Sequence, residues 1–378
     1  MMKRLTLIAA AVAAAAAMHA PLAPAADKPV SIGKLERVAT FDGAMPTGVT
    51  VTETGRIFVN FPRWGDDVPY TVAELRDGKA VPYPDAAVNV ADPADPAKGF
   101  ISVQSVVADG RGRVWILDTA APEFKAPRRG GAKLVAVDLA SNRIVKTVVF
   151  PAEVVLPSTY VNDMRFDFRA GAEGVAYVTD SSLSGPGAII VLDLATGKAV
   201  RRLNGHPATM PEPGFAAAID GKPLPATFKV ASDGIALSPD GDTLYFCALS
   251  SRRLYSVPTR LLRDPNVTEA ELARAVRDLG VKGASDGLES DAAGAVYAGD
   301  YEHNAIRKLA RGSTTWRTIA RGENLSWPDT LSVGPDGYLY VIANQLHRQA
   351  GFNDGRDLRR KPYELLRVKV NAQPAPTN

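Results

Sequence analysis

Residues 327–341, "WPDTLSVGPDGYLYV", decide the fold. The stretch alternates apolar and polar residues, turns at Pro335-Asp336-Gly337, and continues through Tyr338, Tyr340 and Val341. That is the pattern of a β-hairpin. Aligned on the aromatic residue after the turn, the same unit recurs along the chain. "DTLSVGPDGYLY" (329–340), "DGLESDAAGAVY" (286–297), "QSVVADGRGRVW" (104–115) and "TGVTVTETGRIF" (47–58) share one spacing. "DGIALSPDGDTLY" (233–245) carries one inserted residue and "DMRFDFRAGAEGVAY" (163–177) carries three. Six copies therefore start at Thr47, Gln104, Asp163, Asp233, Asp286 and Asp329.

Between the copies lie further strand-turn-strand segments, "KLVAVDLASNRIVKTVVF" (133–150) and "AIIVLDLATGKAVRRL" (188–203). Each unit thus holds about four strands. Four-stranded units at this period predict an all-β fold, a six-bladed β-propeller of four-stranded antiparallel blades over residues 26–370. Residues 32–41 precede the first unit and are predicted to supply the outer strand of the last blade, which closes the ring and removes an open edge. One short helix is predicted between blades four and five, over "VTEAELARAVRDLG" (267–280). Thr268 is its N-cap, Glu271 completes a capping box, and Gly280 stops it. The Pro-containing residues 371–378 are predicted to be a disordered tail.

The remaining composition narrows the function. Lys3-Arg4, the apolar run of residues 5–18 and Ala23-Pro24-Ala25 read as a signal peptide over residues 1–25, so the protein is expected to be exported, periplasmic or secreted. No cysteine follows the apolar run, so no membrane anchor is expected. The single cysteine, Cys247, lies in an apolar strand and reads as a core filler. Lys+Arg (44) and Asp+Glu (41) are nearly balanced and interspersed, which argues against a nucleic-acid partner. His206, His303 and His347 show no metal-ligand spacing, and no nucleotide or haem cofactor is expected. A monomer with a small-molecule ligand is the expected form.

In a propeller the innermost strands line a central channel, and the residues heading them converge on one mouth. That ring would hold Thr47, Gln104, Asp163, Asp233, Asp286 and Asp329. Any one of these aspartates could serve only as a turn former. Four at one aligned position must bind a cation, share protons or be separated by water. Asp163, Asp233, Asp286 and Asp329 are therefore candidate ligands for Ca²⁺ or another divalent cation, with neutral oxygens from Asn162 and Asn344. Alternatively the ring binds an organic cation, with Trp327 and Tyr160 available for cation–π contact. Trp64 and Trp115 read as blade packing, and Asp109, Asp240 and Asp336 as structural residues of the far turns.

Several strings resemble the major royal jelly protein/Yellow family. These include "VNDMRFDF", "AYVTDSS", "LYFCALSSRRLYSVPTRLLRD", "LGVKGASDGLESDAAGAVYAGDYEHNAI" and "LSWPDTLSVGPDGYLYVIANQLHR". The likeness implies a secreted six-bladed propeller. It also implies a link to pigment chemistry, including dopachrome conversion, and to biogenic-amine binding in the central channel. Thr330 and Asn344 match the family's last-blade amine positions. The insect disulfides are absent. A more distant likeness joins "DGIALSPDGDTLY" to the metal-dependent gluconolactonase/regucalcin family. That family's glutamate ligand is missing here, where the region reads "AMPTGVTV", and its Asn-Gly is replaced by Asp233-Gly234.

Three functions follow from these readings. The first is a binder of a small amine or catechol-type ligand. Asp233, Asp286 and Asp329 supply charge, Thr330 and Asn344 orient the ligand, and Asp233 and Asp286 are the candidate proton carriers of a dopachrome-tautomerase-like activity. The second is a Ca²⁺-dependent lactone hydrolase. The third is a non-catalytic protein-interaction platform.

Overall fold

Six four-stranded antiparallel sheets stand in a ring in the computed structural model, which describes residues 32–378. The predicted signal peptide lies outside the described residues. The inner strands are Gly48–Val51, Val103–Ala108, Val161–Asp167, Ser232–Leu237, Ser285–Ser290 and Pro328–Val333. They head blades one to six, as the six repeats predict. The last blade runs Pro328–Val333, Tyr338–Ala343, Tyr363–Lys369 and then Leu35–Phe41. Leu35 pairs with Val368 and Phe41 with Tyr363, so the earliest described strand closes the ring.

Every blade buries both faces, because each is sandwiched between two others. Strand alternation then sends neighbouring residues to different blades. Val114 and Ile116 pack toward blade one with Phe58 and Val72, whereas Trp115 and Leu117 pack toward blade three with Met164 and Phe166. Cys247 is buried between blades four and five among Leu254, Leu288 and Val296, a core filler as expected. At the far turns Asp109 accepts the Trp115 indole N–H at 3.0 Å, and Asp291 and Asp336 accept the hydroxyls of Tyr297 and Tyr340 at 2.7 and 2.9 Å. The aromatic residue on which the repeats align is thus pinned by the turn before it in three blades.

Two expectations need correction. The predicted helix is the second of two: α1 (Thr259–Arg263), which the sequence reading missed, precedes it, and it is α2 (Glu269–Ala275). Both lie inside blade four, between its third and fourth strands, rather than between blades four and five. The Thr268–Glu271 capping box forms. The helix ends at Ala275 because Arg277–Val281 is taken as the blade's outer strand, with Gly280 inside it at φ +90°. Residues 371–378 are held in place rather than disordered. Gln373 O accepts from Ala292 N, Thr377 O accepts from Phe168 N, and Thr377 Oγ1 donates to Asp109 O. These bonds satisfy backbone groups at turns of blades five, three and two. They draw residues 374–377 over the opening opposite the strand heads. No helix among the described residues is long and apolar enough to cross a membrane.

Candidate functional site

A repeated irregularity builds the site. In blade four Ser232 pairs with Ala248 and Ile235 with Phe246, so Asp233 and Gly234 oppose Cys247 alone. The same count sets Asn162 and Asp163 against Thr179, Asp286 and Gly287 against Gly299, and Asp329 and Thr330 against Ile342. A bulge bends its strand and re-aims a side chain. The first bulge residue of each pair, namely Asn162, Asp233, Asp286 or Asp329, lines a cavity at the channel mouth. Gln104, the extra residue of blade two, joins them. The second bulge residue meets the next blade. A Cβ on Gly234 would lie 2.4 Å from Asp286 O, and one on Gly287 2.6 Å from Asp329 O, so this close approach needs glycine.

The bulge revises the predicted ring. Asp163 is a second bulge residue and lies outside the cavity. Its Oδ1 accepts from Ser105 Oγ at 2.8 Å, and its Oδ2 lies 3.0 Å from Arg165 Nη1. With Arg165 and Glu289, themselves 3.8 Å apart and lining the opposite opening, it forms a buried ionic cluster, and beyond the effect of burial its charge also raises Asp233 and Asp286. Thr47 precedes the one inner strand without a bulge. Its Oγ1 accepts from Asn60 Nδ2 at 2.9 Å, and it does not line the cavity. Thr330 also lies outside, with Oγ1 3.4 Å from Asp329 Oδ1. Asn344 sits behind Asp329, donating to its Oδ2 and accepting from Leu346 N at 3.0 Å. It orients Asp329 rather than a ligand.

The cavity measures about 320 Å³, the small end of ligand-pocket sizes. One wall is aromatic: Trp64 and Phe124 stack at 4.8 Å, and Phe124 and Tyr160 lie 4.9 Å apart. Phe228 and Phe352 meet edge-on at 5.6 Å on another wall. Trp64 Nε1 donates to Tyr160 Oη at 2.8 Å, which donates to Gln104 Oε1 at 2.9 Å. That chain leaves the Gln104 amide N–H groups without a partner among the described residues. Trp64, expected in blade packing, is therefore a cavity wall. Trp327 is not. It is fully buried, stacks on Tyr301 at 4.2 Å and donates its indole N–H to Asp286 Oδ2 at 2.7 Å.

Among the described residues no Lys, Arg or His lines this cavity, so its three aspartates meet no cation inside it, although the buried Lys282 behind the wall favours the ionised Asp286. Burial pushes the Asp233 carboxyl well above its ordinary range, and the Asp286 charge beside it pushes further. Burial also raises Asp286, but only to about 6, because the Trp327 indole and the Asp233 carboxyl donate to it. Asp329 is raised well above its ordinary value by burial and then by the Asp286 and Asp233 charges, against the Asn344 amide. Of the adjacent pair, Asp233 is driven further toward its neutral form than Asp286, and Asp329 beside them is driven the same way. Among the described residues no three acidic, histidine or cysteine side chains are grouped to hold a metal ion. Of the four carboxylates expected to hold Ca²⁺, Asp163 lies outside the cavity, which leaves Asp233, Asp286 and Asp329 with the Asn162 and Gln104 side chains.

The sequence model of the major royal jelly protein family matches residues 101–377. The chain belongs to that family. Among curated relatives, the protein yellow of Drosophila erecta is 29% identical over 250 residues, covering 60% of this chain and 43% of the relative. The protein yellow of Drosophila melanogaster is 28% identical, with the same coverage. The matched segment spans less than half the length of these relatives. Among solved structures, a luciferin-regenerating enzyme aligns with a TM-score of 0.55 at 13% identity, over 91% of this chain and 99% of that one. A calcium-binding protein, regucalcin, from Agrobacterium tumefaciens aligns with a TM-score of 0.53 at 15% identity, over 90% and 97%. A putative gluconolactonase aligns with a TM-score of 0.54 at 12% identity, over 90% and 93%. At these identities the structural likeness carries the propeller fold alone.

In this royal jelly family chain all five channel residues, Gln104, Asn162, Asp233, Asp286 and Asp329, fall inside the matched segment. Trp327 makes the distinction between Asp286 and its neighbours. Its indole N–H favours the ionised carboxylate, and φ +58° at this residue turns the chain so that the ring reaches Asp286. Trp327→Phe keeps the stack on Tyr301 and removes the donor. The Asp286 titration, followed by carboxyl-carbon NMR, is expected to move up by about one pH unit. An unmoved titration would show that the indole bond does not set it.

Proposed function

We propose that the channel mouth binds a small aromatic amine or catechol-type compound, its ammonium against Asp286 and Asp329 and its ring between the aromatic walls. One observation carries this reading: three buried aspartates line an aromatic-walled cavity that holds no cationic side chain among the described residues. An ammonium supplies the missing positive charge, and Trp64, Tyr160 and Phe228 offer ring faces for stacking and cation–π contact. The unpaired Gln104 amide offers a donor to a ring hydroxyl or carbonyl oxygen.

Binding a cation favours ionised carboxylates, so it must release protons. Dopamine affinity is expected to tighten as pH rises from about 5 to 7, by up to about tenfold per pH unit for one proton released. Isothermal titration calorimetry in buffers of different ionisation heat measures both quantities. Catechol without the amine should bind far more weakly. Equal affinities for dopamine and catechol, or no pH dependence, would overturn the assignment of the carboxylates to an ammonium.

The Asp233–Asp286 pair favours a second reading, proton transfer on the bound compound. Asp286 removes a ring C–H proton and Asp233 delivers one to a ring oxygen, which is the proton balance of a tautomerisation. The family's association with dopachrome conversion makes dopachrome the first substrate to assay. Metal-assisted lactone hydrolysis has less support, because Asp163, one of the four expected metal ligands, is engaged by Ser105 and Arg165 outside the cavity.

A further inference from the structure

A second cavity of about 330 Å³ lies behind the loop that walls the channel mouth. It opens between the short hairpin Ala218–Ile219/Lys222–Pro223 and residues 347–360. Lys222, Arg348 and Arg360 line it, with Asp220 as the only acid among its lining residues. Asp220 is already engaged, accepting from Arg348 Nη2 at 3.2 Å and from Asn304 Nδ2 at 3.3 Å. Lys222 and Arg360 have no side-chain partner among the described residues.

His347 supplies an independent observation. Its side chain is only 9% exposed, and both ring nitrogens are buried without a hydrogen-bond partner among the described residues. Asp220 Oδ2 stands 3.8 Å from Nε2, too far for a hydrogen bond. Burial and the Arg348 charge hold the ring neutral, its pKa pushed down to about 4, so one nitrogen is an N–H donor with nothing to donate to. A buried donor without a partner is costly. Apart from Asn353, whose amide donates to His347 O and Gln349 O, the rest of the lining, including Ile219, Leu224 and Leu358, is apolar, and Phe352 is shared with the channel cavity.

We propose that this second cavity binds a small organic carboxylate, its oxygens held by Lys222, Arg348 and Arg360 beside the His347 N–H and its apolar body against Leu224, Phe352 and Leu358. Excess positive charge selects an anion, and Arg forks suit the planar carboxylate. The apolar lining selects an organic body over a bare inorganic ion. The occupant differs in charge from the proposed channel ligand, so the two sites are chemically distinct.

The test uses benzoate, titrated calorimetrically into the full protein at neutral pH and low salt. One site per chain is expected, with Lys222→Gln and Arg360→Gln each weakening it about tenfold. Both side chains are exposed, so neither substitution threatens folding. The His347 imidazole resonances are expected to shift with benzoate and stay in place with neutral benzamide. Benzoate heat should persist in Asp286→Asn, which separates this cavity from the channel. Absent benzoate binding, binding unaffected by both charge substitutions, or inorganic phosphate binding as tightly as benzoate would each overturn the proposal.

Discussion

Lys133→Met is expected to destabilise the fold by roughly 3–5 kcal/mol. Lys133 is 1% exposed and its partner Asp118 0%. The ammonium uses all three donors, on Asp118 Oδ2 at 2.9 Å, Pro96 O at 3.0 Å and Gly131 O at 3.2 Å. Asp118 in turn accepts from Ile101 N at 2.7 Å and from Ser102 N and Ala120 N at 2.9 Å. The pair therefore fixes the entry of blade two's inner strand, three residues before Gln104. Methionine fills the space of the lysine stem but leaves a buried carboxylate without its cation. The exposed pair Lys98–Asp95, 3.4 Å apart, provides the contrast, since Lys98→Met should cost less than about 1 kcal/mol. Urea midpoints with unchanged slopes measure both. Similar losses in the two variants would defeat the argument from burial.

That ion pair was within reach of the sequence. Asp118, Asp180 and Asp300 each stand three residues beyond the aromatic on which the repeats align, in "ILDT", "VTDS" and "AGDY". Asp180 repeats the role of Asp118, accepting from Tyr160 N at 2.8 Å and pairing with Arg201 at 2.7 Å. Asp300 pairs with His303 and Arg307. An alignment that stops at the aromatic passes over this second periodicity. The blades themselves are legible because a strand buried on both faces, followed by a tight turn, leaves a strong local pattern. The closing strand is legible for a topological reason, since an open ring would expose an edge. The helix in blade four is legible at its start, where capping is local chemistry. Its end is not, because Arg277–Val281 takes its conformation from pairing with Arg253–Pro258.

The channel residues were legible only to within one position. Counting back from the aromatic crosses a turn of variable length, and blade three carries the longest one. Counting forward to the first apolar residue after the bulge aligns "VNDM", "SDGI", "SDGL" and "PDTL" (residues 161–164, 232–235, 285–288 and 328–331). That register puts Asn162 with Asp233, Asp286 and Asp329, and puts Asp163 with Gly234, Gly287 and Thr330, as the pairing shows. The aromatic walls left no such trace. Trp64, Phe124, Phe228 and Phe352 come from connections outside the regular blade strands, which do not repeat. Only the folded ring brings them together.

The carboxylate pair gives the sharpest division between binding and proton transfer. In Asp233→Asn the new amide oxygen can still accept from Asn162 and Ser181, as Asp233 Oδ2 does. Its NH₂ can donate to Asp286, as a neutral Asp233 carboxyl would. The variant therefore resembles the protonated state, but it cannot release the proton. Amine affinity near neutral pH is expected to stay within a few-fold. Any tautomerase turnover is expected to fall by roughly 10²–10⁴. Asp286→Asn keeps an acceptor for the Trp327 indole but removes the ionised group, so affinity for a protonated amine should fall about a hundredfold. The same substitution should stabilise the ligand-free protein, because ionising a fully buried carboxyl is unfavourable. With Asp286 at about 6 folded against 3.8 unfolded, the folded state holds the extra proton. Wild-type stability is thus complete below about pH 4 and declines as pH rises through about 6, by roughly 3 kcal/mol. Asp286→Asn escapes that decline, so its advantage in urea midpoint should be near zero at pH 4 and largest at pH 8. A variant that lost affinity without gaining stability at pH 8 would mean that Asp286 already has its cation in the free protein. The channel mouth would then be a site for a permanently held ion rather than for an exchanging amine.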